Sequence, residues 1–144
     1  MQATILGALA ASRHPLTHVE LSVAAGFPNP CEDYLAKSIS LDELMISRPS
    51  STFLVKVSGD SMMPTIPDGA ILVVDKSIKA SHGKIVVAVI DGQFVVKELC
   101  TPHSHPPYLH SHNPEHQDIM IQAAESDWQS FVIWGAVTGF IKQF

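Results

Sequence analysis

Basic residues are scarce in this chain. Nine Lys and Arg stand against fourteen Asp and Glu, for a formal net charge of −5. They are scattered, and no run of them forms a stripe that could track phosphates. Direct sequence-specific DNA binding is therefore disfavoured on electrostatic grounds, and protein partners are expected instead. Cysteine is nearly absent: Cys31 and Cys100 are the only two in 144 residues. They form no CxxC pair and no disulfide framework, so a reducing cytoplasm is the expected setting. Long apolar runs are missing too, and nothing reaches the roughly 18 residues that a membrane span needs. The opening Met1–Ala11 is small and apolar, like the start of a signal peptide. It lacks a basic n-region, and its apolar run is short. No GxSxG is present, so no nucleophile elbow of the Ser-His-Asp type competes for the chemistry.

Apolar residues, by contrast, make up 46% of the chain, enough for a sizeable core and too many for wholesale disorder. The length suits one compact domain with a short appendage. Residues 1 to 25 are rich in small side chains, and only Arg13 and Glu20 are charged. Gly26-Phe27-Pro28-Asn29-Pro30 then forbids a continuing helix or a central strand. The expected organisation is a mobile arm over 1–25 and a domain over 26–144. Glu32–Lys37 reads as a short helix, and Leu41–Ile46 is apolar but too short to assign. From residue 52 the pattern changes to short strands: Thr52–Ser58, Ala70–Asp75, Lys84–Ile90, Gln93–Leu99, Tyr108–Ser111, Ile119–Gln122 and Phe131–Phe140. Phe53, Val55 and Val57 share one face of the first of these. Asp91-Gly92 between two apolar runs is a strong hairpin signal. Prolines fall in the connections. The fold class is mostly β, as a single twisted or barrel-like sheet.

Two segments carry chemistry. In Val57-Ser58-Gly59-Asp60-Ser61-Met62-Met63-Pro64 a strand ends and Ser61 follows at once on a turn. Gly59 permits the tight backbone, and Pro64 stops a long helix. Such a turn exposes a hydroxyl and leaves backbone N–H groups free for an oxyanion; Asp60 and Ser61 are the candidate donors. In Phe94-Val95-Val96-Lys97-Glu98-Leu99 the period of two puts Lys97 on the face of Val95 and Leu99. A lysine on an apolar face sheds its proton rather than be buried charged. With a pKa near roughly 7–8 it would serve as a general base for Ser61. Each segment also has a plainer reading. A serine after Gly-Asp is commonly a turn residue, and a lysine on an edge strand commonly snorkels to water.

Taken together, these residues resemble the self-cleaving serine peptidases that include the LexA repressor, phage repressors and UmuD. The resemblance to UmuD-type members runs from about residue 23 to the C-terminus. It rests on Gly26-Phe27-Pro28-x-Pro30, Asp33-Tyr34, Pro49-Ser50, Lys56-Val57-Ser58-Gly59-Asp60-Ser61-Met62, Asp68-Gly69, Ala80-Ser81-His82-Gly83 and Val96-Lys97, in order. It implies a LexA/signal-peptidase-like twisted β domain, with Ser61 as nucleophile and Lys97 as general base. It also implies a scissile bond at Ala25–Gly26, where Val23-Ala24-Ala25-Gly26 is closer to the LexA site than to the usual UmuD one. An extended Leu21–Phe27 lying along a sheet edge would bring the Ala25 carbonyl to Ser61.

About 25 residues before the cut are too few for the helix-turn-helix domain that LexA-type repressors carry there. The resemblance therefore implies an SOS-response protein whose core changes partners after self-cleavage. Those partners are a RecA-type filament that promotes the cut, a second copy in a homodimer, and a UmuC-like Y-family DNA polymerase for error-prone translesion synthesis. No cofactor is implied. Two other readings stay open: a LexA-like regulatory autopeptidase with another client, and a non-enzymatic binding module linked to metal. The metal reading would use His103, His105, His110, His112 and His116, but their spacing is loose and no metal site is expected. They read instead as a solvated loop and strand end. Asp60 is expected to satisfy backbone groups of the turn. Trp128 and Trp134 read as core.

Overall fold

A computed structural model of the chain describes residues 1–8, 16–19, 36–121 and 131–144. Those residues form two compact units, one of Met1–Leu9 with Arg48–Phe144 and the other of Ala10–Ser47. Among the described residues the smaller unit holds an antiparallel pair, β2 (Leu16–Val19) with β3 (Ala36–Ile39), and one short helix, α1 (Leu41–Met45). The end of the expected helix over Glu32–Lys37 is thus a strand at Ala36 and Lys37. Cross-strand pairing with Leu16–Val19 overrides helix propensity there. The apolar run from Leu41 forms α1.

The larger unit is built on one eight-stranded sheet. Its strands are β1 (Gln2–Ala8), β4 (Thr52–Ser58), β5 (Ile71–Asp75), β6 (Ile85–Ile90), β7 (Gln93–Cys100), β8 (Tyr108–His110), β9 (Ile119–Met120) and β10 (Phe131–Ile141). Their spatial order is β1-β4-β5-β10-β6-β7-β8-β9, and every neighbouring pair is antiparallel. Gln2 pairs with both Ser58 of β4 and Val95 of β7, so β1 bridges the two and the sheet curls toward a barrel. That closure brings the end of β4 beside β7, and it is what places the site. The mostly β, barrel-like fold expected from the sequence is the one observed. The seven expected strands all lie in this sheet, and the described ends agree within about a residue. Gln122 lies outside the described residues. Residues 2–8, which fall in the expected arm over 1–25, form β1.

Local chemistry explains the elements. Asp91 (φ 49°) and Gly92 (φ 79°) both take left-handed backbone, as a two-residue hairpin turn between β6 and β7 requires. In β4, alternation buries Val55 and Val57 completely while Lys56 stays exposed. They join Met62, Ile66, Leu72, Val74, Val87 and Val96 in one core cluster. A second cluster forms around Val86, Ala88, Leu99 and Leu109. Trp134 is indeed a packing residue, edge-on to Phe53 and Phe94 at ring separations of 5.2 and 5.9 Å. The Lys76 ammonium lies 4.8 Å from its ring centroid, a cation–π distance. Cys100 is a buried free thiol, and burial raises its pKa. Cys31 and Trp128 lie outside the described residues. No helix among the described residues is long and apolar enough to cross a membrane.

Candidate active site

The turn that carries Ser61 is anchored at both ends. Val57 N–H donates to the Ala70 carbonyl at 3.0 Å, and Gly69 N–H donates to the Val57 carbonyl at 3.1 Å. Within the turn, Met63 N–H reaches the Asp60 carbonyl and Ile66 N–H the Met62 carbonyl. Met62 and Ile66 are sunk in the core at 0% and 1% exposure. Gly59 takes φ +106°, and a Cβ built there would lie 3.3 Å from the Met1 Cα. Glycine therefore meets two demands at this position, left-handed backbone and close approach of a second chain segment.

Ser61 Oγ and Lys97 Nζ are 2.7 Å apart. Both side chains are buried, with Ser61 at 0% and Lys97 at 5% exposure. The turn and β7 meet although the two residues are 36 positions apart in sequence. Burial is the main cause that lowers the Lys97 pKa from its ordinary value. A hydrogen bond to the Met1 amine and the charge of Asp118 work in the other direction. The lysine thus sits where its charged form is disfavoured and its neutral form can accept a proton. It does not snorkel. Ser61 Oγ also receives a 2.9 Å hydrogen bond from the Met1 amine, whose own pKa is lowered by burial and by the Lys97 charge. Among the described residues, β1 is the segment that runs along the β4 edge beside Ser61.

Asp60 differs in role from the expectation. Among the described residues no backbone N–H of the turn is bonded to its carboxylate. It takes a 2.6 Å hydrogen bond from His116 Nε2. The Gly59 N–H is satisfied instead by Asp68, at 2.8 Å. No backbone acceptor takes the N–H of Asp60 or of Ser61 among the described residues. Ala25 and Gly26, with the whole segment Leu21–Phe27, lie outside the described residues.

The sequence reading missed the connection between β8 and β9, residues Ser111–Asp118, which packs against the serine turn. Asn113 N–H donates to the Ser61 carbonyl at 3.0 Å, and Asn113 Nδ2 donates to the Asp60 carbonyl at 3.2 Å. His112 spans Thr65 Oγ1 (2.6 Å) and Glu98 Oε2 (2.5 Å). Three of the five histidines read as a solvated loop are thus each bonded to a carboxylate. His110 pairs with Asp118, His112 with Glu98 and His116 with Asp60. Among the described residues no group of three His, Cys, Asp or Glu side chains is arranged to hold a metal ion. The local signals here were Asn-Pro turn chemistry and repeated histidine, and neither says which distant strand the loop meets.

Comparison with known proteins places the chain in a family. The model described as "Peptidase S24-like" matches residues 16–138. The chain belongs to the S24-like peptidase family. Protein MucA of Salmonella typhimurium is 38% identical over 140 residues, covering 96% of this chain and 92% of MucA. Protein ImpA of Salmonella typhimurium is 47% identical over 76 residues, about half of each chain (52% and 52%). The LexA repressor of Shewanella piezotolerans is 35% identical over 121 residues, covering 83% of this chain and 56% of the repressor. The resemblance to UmuD-type members of the LexA/UmuD group is borne out at this level. As an S24-like peptidase, the chain is a self-cleaving serine peptidase by class.

Proposed function

We propose that this S24-like peptidase cuts its own chain at Ala25–Gly26 with a Ser61–Lys97 dyad, as an SOS-response mutagenesis protein. The observation that carries this is the buried 2.7 Å contact between Lys97 Nζ and Ser61 Oγ, with burial lowering the lysine pKa. Neutral Lys97 takes the Ser61 proton as Oγ attacks the Ala25 carbonyl. The C–N bond breaks, and Lys97 returns the proton to the Gly26 amine as it leaves. Water, deprotonated by the same lysine, then hydrolyses the acyl-serine. The oxyanion of each tetrahedral intermediate is met by the Asp60 and Ser61 N–H groups. The small side chains of Ala24, Ala25 and Gly26 suit a segment threaded into a narrow groove.

The products are residues 1–25 and a core of 26–144. The UmuD-type resemblance supports a homodimeric core that joins a UmuC-like Y-family polymerase for translesion synthesis, with a RecA-type filament as activator of the cut. The cytoplasm is the compartment that these partners require.

The test is intact-mass spectrometry of purified protein incubated from pH 7 to pH 10, beside Ser61→Ala and Lys97→Ala. A single cut after Ala25 is expected, faster as pH rises through the lowered Lys97 value, and absent in both variants. A cut that survives in either variant refutes the dyad. An intact chain at every pH, with an activated RecA-type filament present, refutes the peptidase reading and favours a binding module.

A further inference from the structure

Asn113 reaches the serine turn with two donors, and the targets are the two carbonyls that flank Ser61. Its side chain holds the Asp60 carbonyl at 3.2 Å, and its backbone N–H holds the Ser61 carbonyl at 3.0 Å. A peptide unit is planar, so fixing a carbonyl fixes the N–H across the same bond. The Asp60 carbonyl shares its plane with the Ser61 N–H, one of the two oxyanion donors proposed above. The Ser61 carbonyl shares its plane with the Met62 N–H. Holding both planes also sets φ and ψ of Ser61. The Cα–Cβ direction follows from them, and with it the place from which Oγ starts. One residue on a distant loop therefore aims both the nucleophile and the group that meets the developing charge.

The loop is built to keep Asn113 still. Pro114 confines Asn113 to extended backbone. Asn113 Oδ1 accepts the Glu115 N–H at 3.0 Å, and the Asn113 carbonyl accepts the His116 N–H at 3.0 Å. The neck of the loop is closed by Ser111 N–H on Asp118 Oδ1 (3.0 Å) and by the buried Ser111 hydroxyl on the Gln117 carbonyl (3.3 Å). Two struts flank Asn113. His116 Nε2 donates to the Asp60 carboxylate at 2.6 Å. His112 ties Thr65, further along the same turn, to Glu98, the neighbour of Lys97 on β7. A carboxylate only accepts, so His112 Nε2 carries the proton toward Glu98. In the neutral ring Nδ1 then accepts from the Thr65 hydroxyl.

We propose that Asn113, braced by His116, is a positioning residue of the peptidase that fixes the peptide planes on both sides of Ser61. This rests on the reading of Ser61 as the nucleophile. Donors that are already oriented cost no reorganisation when charge develops, and a misplacement of about 1 Å can cost on the order of 100-fold.

The experiment measures the first-order self-cleavage rate of the full chain from pH 7 to pH 10, for the parent, Asn113→Ala, Asn113→Asp, His116→Ala and His116→Gln. Each melting temperature is recorded alongside. Asn113→Ala lowers the high-pH plateau about 10- to 100-fold, with the midpoint of the profile, set by Lys97, unmoved. Asn113→Asp keeps the acceptor for Glu115 N–H but has no donor for the Asp60 carbonyl, so it stays as slow as Asn113→Ala. His116→Gln, which retains a donor, recovers rate over His116→Ala. A purely structural asparagine gives the opposite pattern: Asn113→Asp restores rate and melting temperature together. That pattern overturns the inference, as does a plateau in Asn113→Ala within a factor of about two of the parent. If the parent does not cut, or if Ser61→Ala still does, the underlying peptidase reading fails first. That outcome is distinct from a cutting parent with an unaffected Asn113→Ala.

Discussion

Replacing Lys97 with Met should abolish self-cleavage and at the same time make the protein more stable. The lysine is 5% exposed and lies on the strand face shared with Val95 and Leu99 of the second core cluster. Met fills a similar volume with an unbranched, adaptable chain, so little packing is lost. Ser61 Oγ keeps a partner in the Met1 amine at 2.9 Å. What is removed is an ammonium group whose burial lowers its pKa from 10.5. Replacing a buried charge by an apolar side chain of like size stabilises by roughly 1–4 kcal/mol in comparable cases. At roughly 2–4 °C per kcal/mol, the melting temperature should rise visibly.

The sign with pH is fixed by the direction of the shift. Between the folded value and 10.5 the unfolded chain binds the proton that the folded chain lacks, so stability climbs with pH across that window. Below the folded value both states are protonated and the full penalty of the buried charge remains. The advantage of Lys97→Met is therefore greatest at low pH and shrinks toward pH 10.5. Urea titrations from pH 6 to pH 10, in an Ala25→Glu background that blocks the proposed cut and leaves Ser61 in place, would measure it. A variant less stable than its parent at pH 7, or an advantage that does not change with pH, would show that the lysine is not held against its charged form. The proposed base would then lose its physical footing.

Two further perturbations probe the scaffold. Burial alone would raise the Asp75 carboxyl, but hydrogen bonds from Ser51 and Ser77 and the Arg48 guanidinium outweigh it and hold the group at about 2. Its folded value is depressed, so its contribution is present above the unfolded value of 3.8 and is lost as pH falls toward 2. Asp75→Asn should flatten stability against pH in that acid window, read by circular dichroism melts. At Gly135, beside a register shift in β10, a Cβ would meet Val74 Cγ1 at 2.7 Å. Gly135→Ala should cost roughly 1–3 kcal/mol in urea unfolding, and an unchanged midpoint would mean that β5 and β10 have slack.

The parts of the fold that were legible are those fixed within a few residues. Asp91-Gly92 announces its hairpin because two left-handed residues in a row leave few other turns. The alternation in Thr52–Ser58 announces one buried face. Lys97 stood out because a charge among Val95, Val96 and Leu99 contradicts its surroundings, and such contradictions mark sites. Long-range pairing was not legible. Gln2–Ala8 contains nothing that distinguishes a strand from an apolar leader, and it becomes one because β4 and β7 both offer it an edge. Ala36 and Lys37 follow a segment of good helix formers, and only the partner strand decides otherwise.

The same distinction separates the two halves of the candidate site. Ser61 and Lys97 each carry a local mark, a turn after a strand and a charge on an apolar face. Asn113 carries none, because a polar residue before proline in a histidine-rich loop fits a solvated connection equally well. Its proposed role follows from topology. β7 pairs with β8 through Glu98 and His110, so the chain that has just supplied the lysine doubles back beside it. The loop that follows β8 then extends over the turn that supplies the serine. The proposed dyad joins two elements 36 residues apart and needs a third element to hold their separation constant. The connection after β8 is the segment that the sheet order delivers to that place. The proposed chemistry is thus written in two residue types, and its proposed precision in a strand order that no short window of sequence contains.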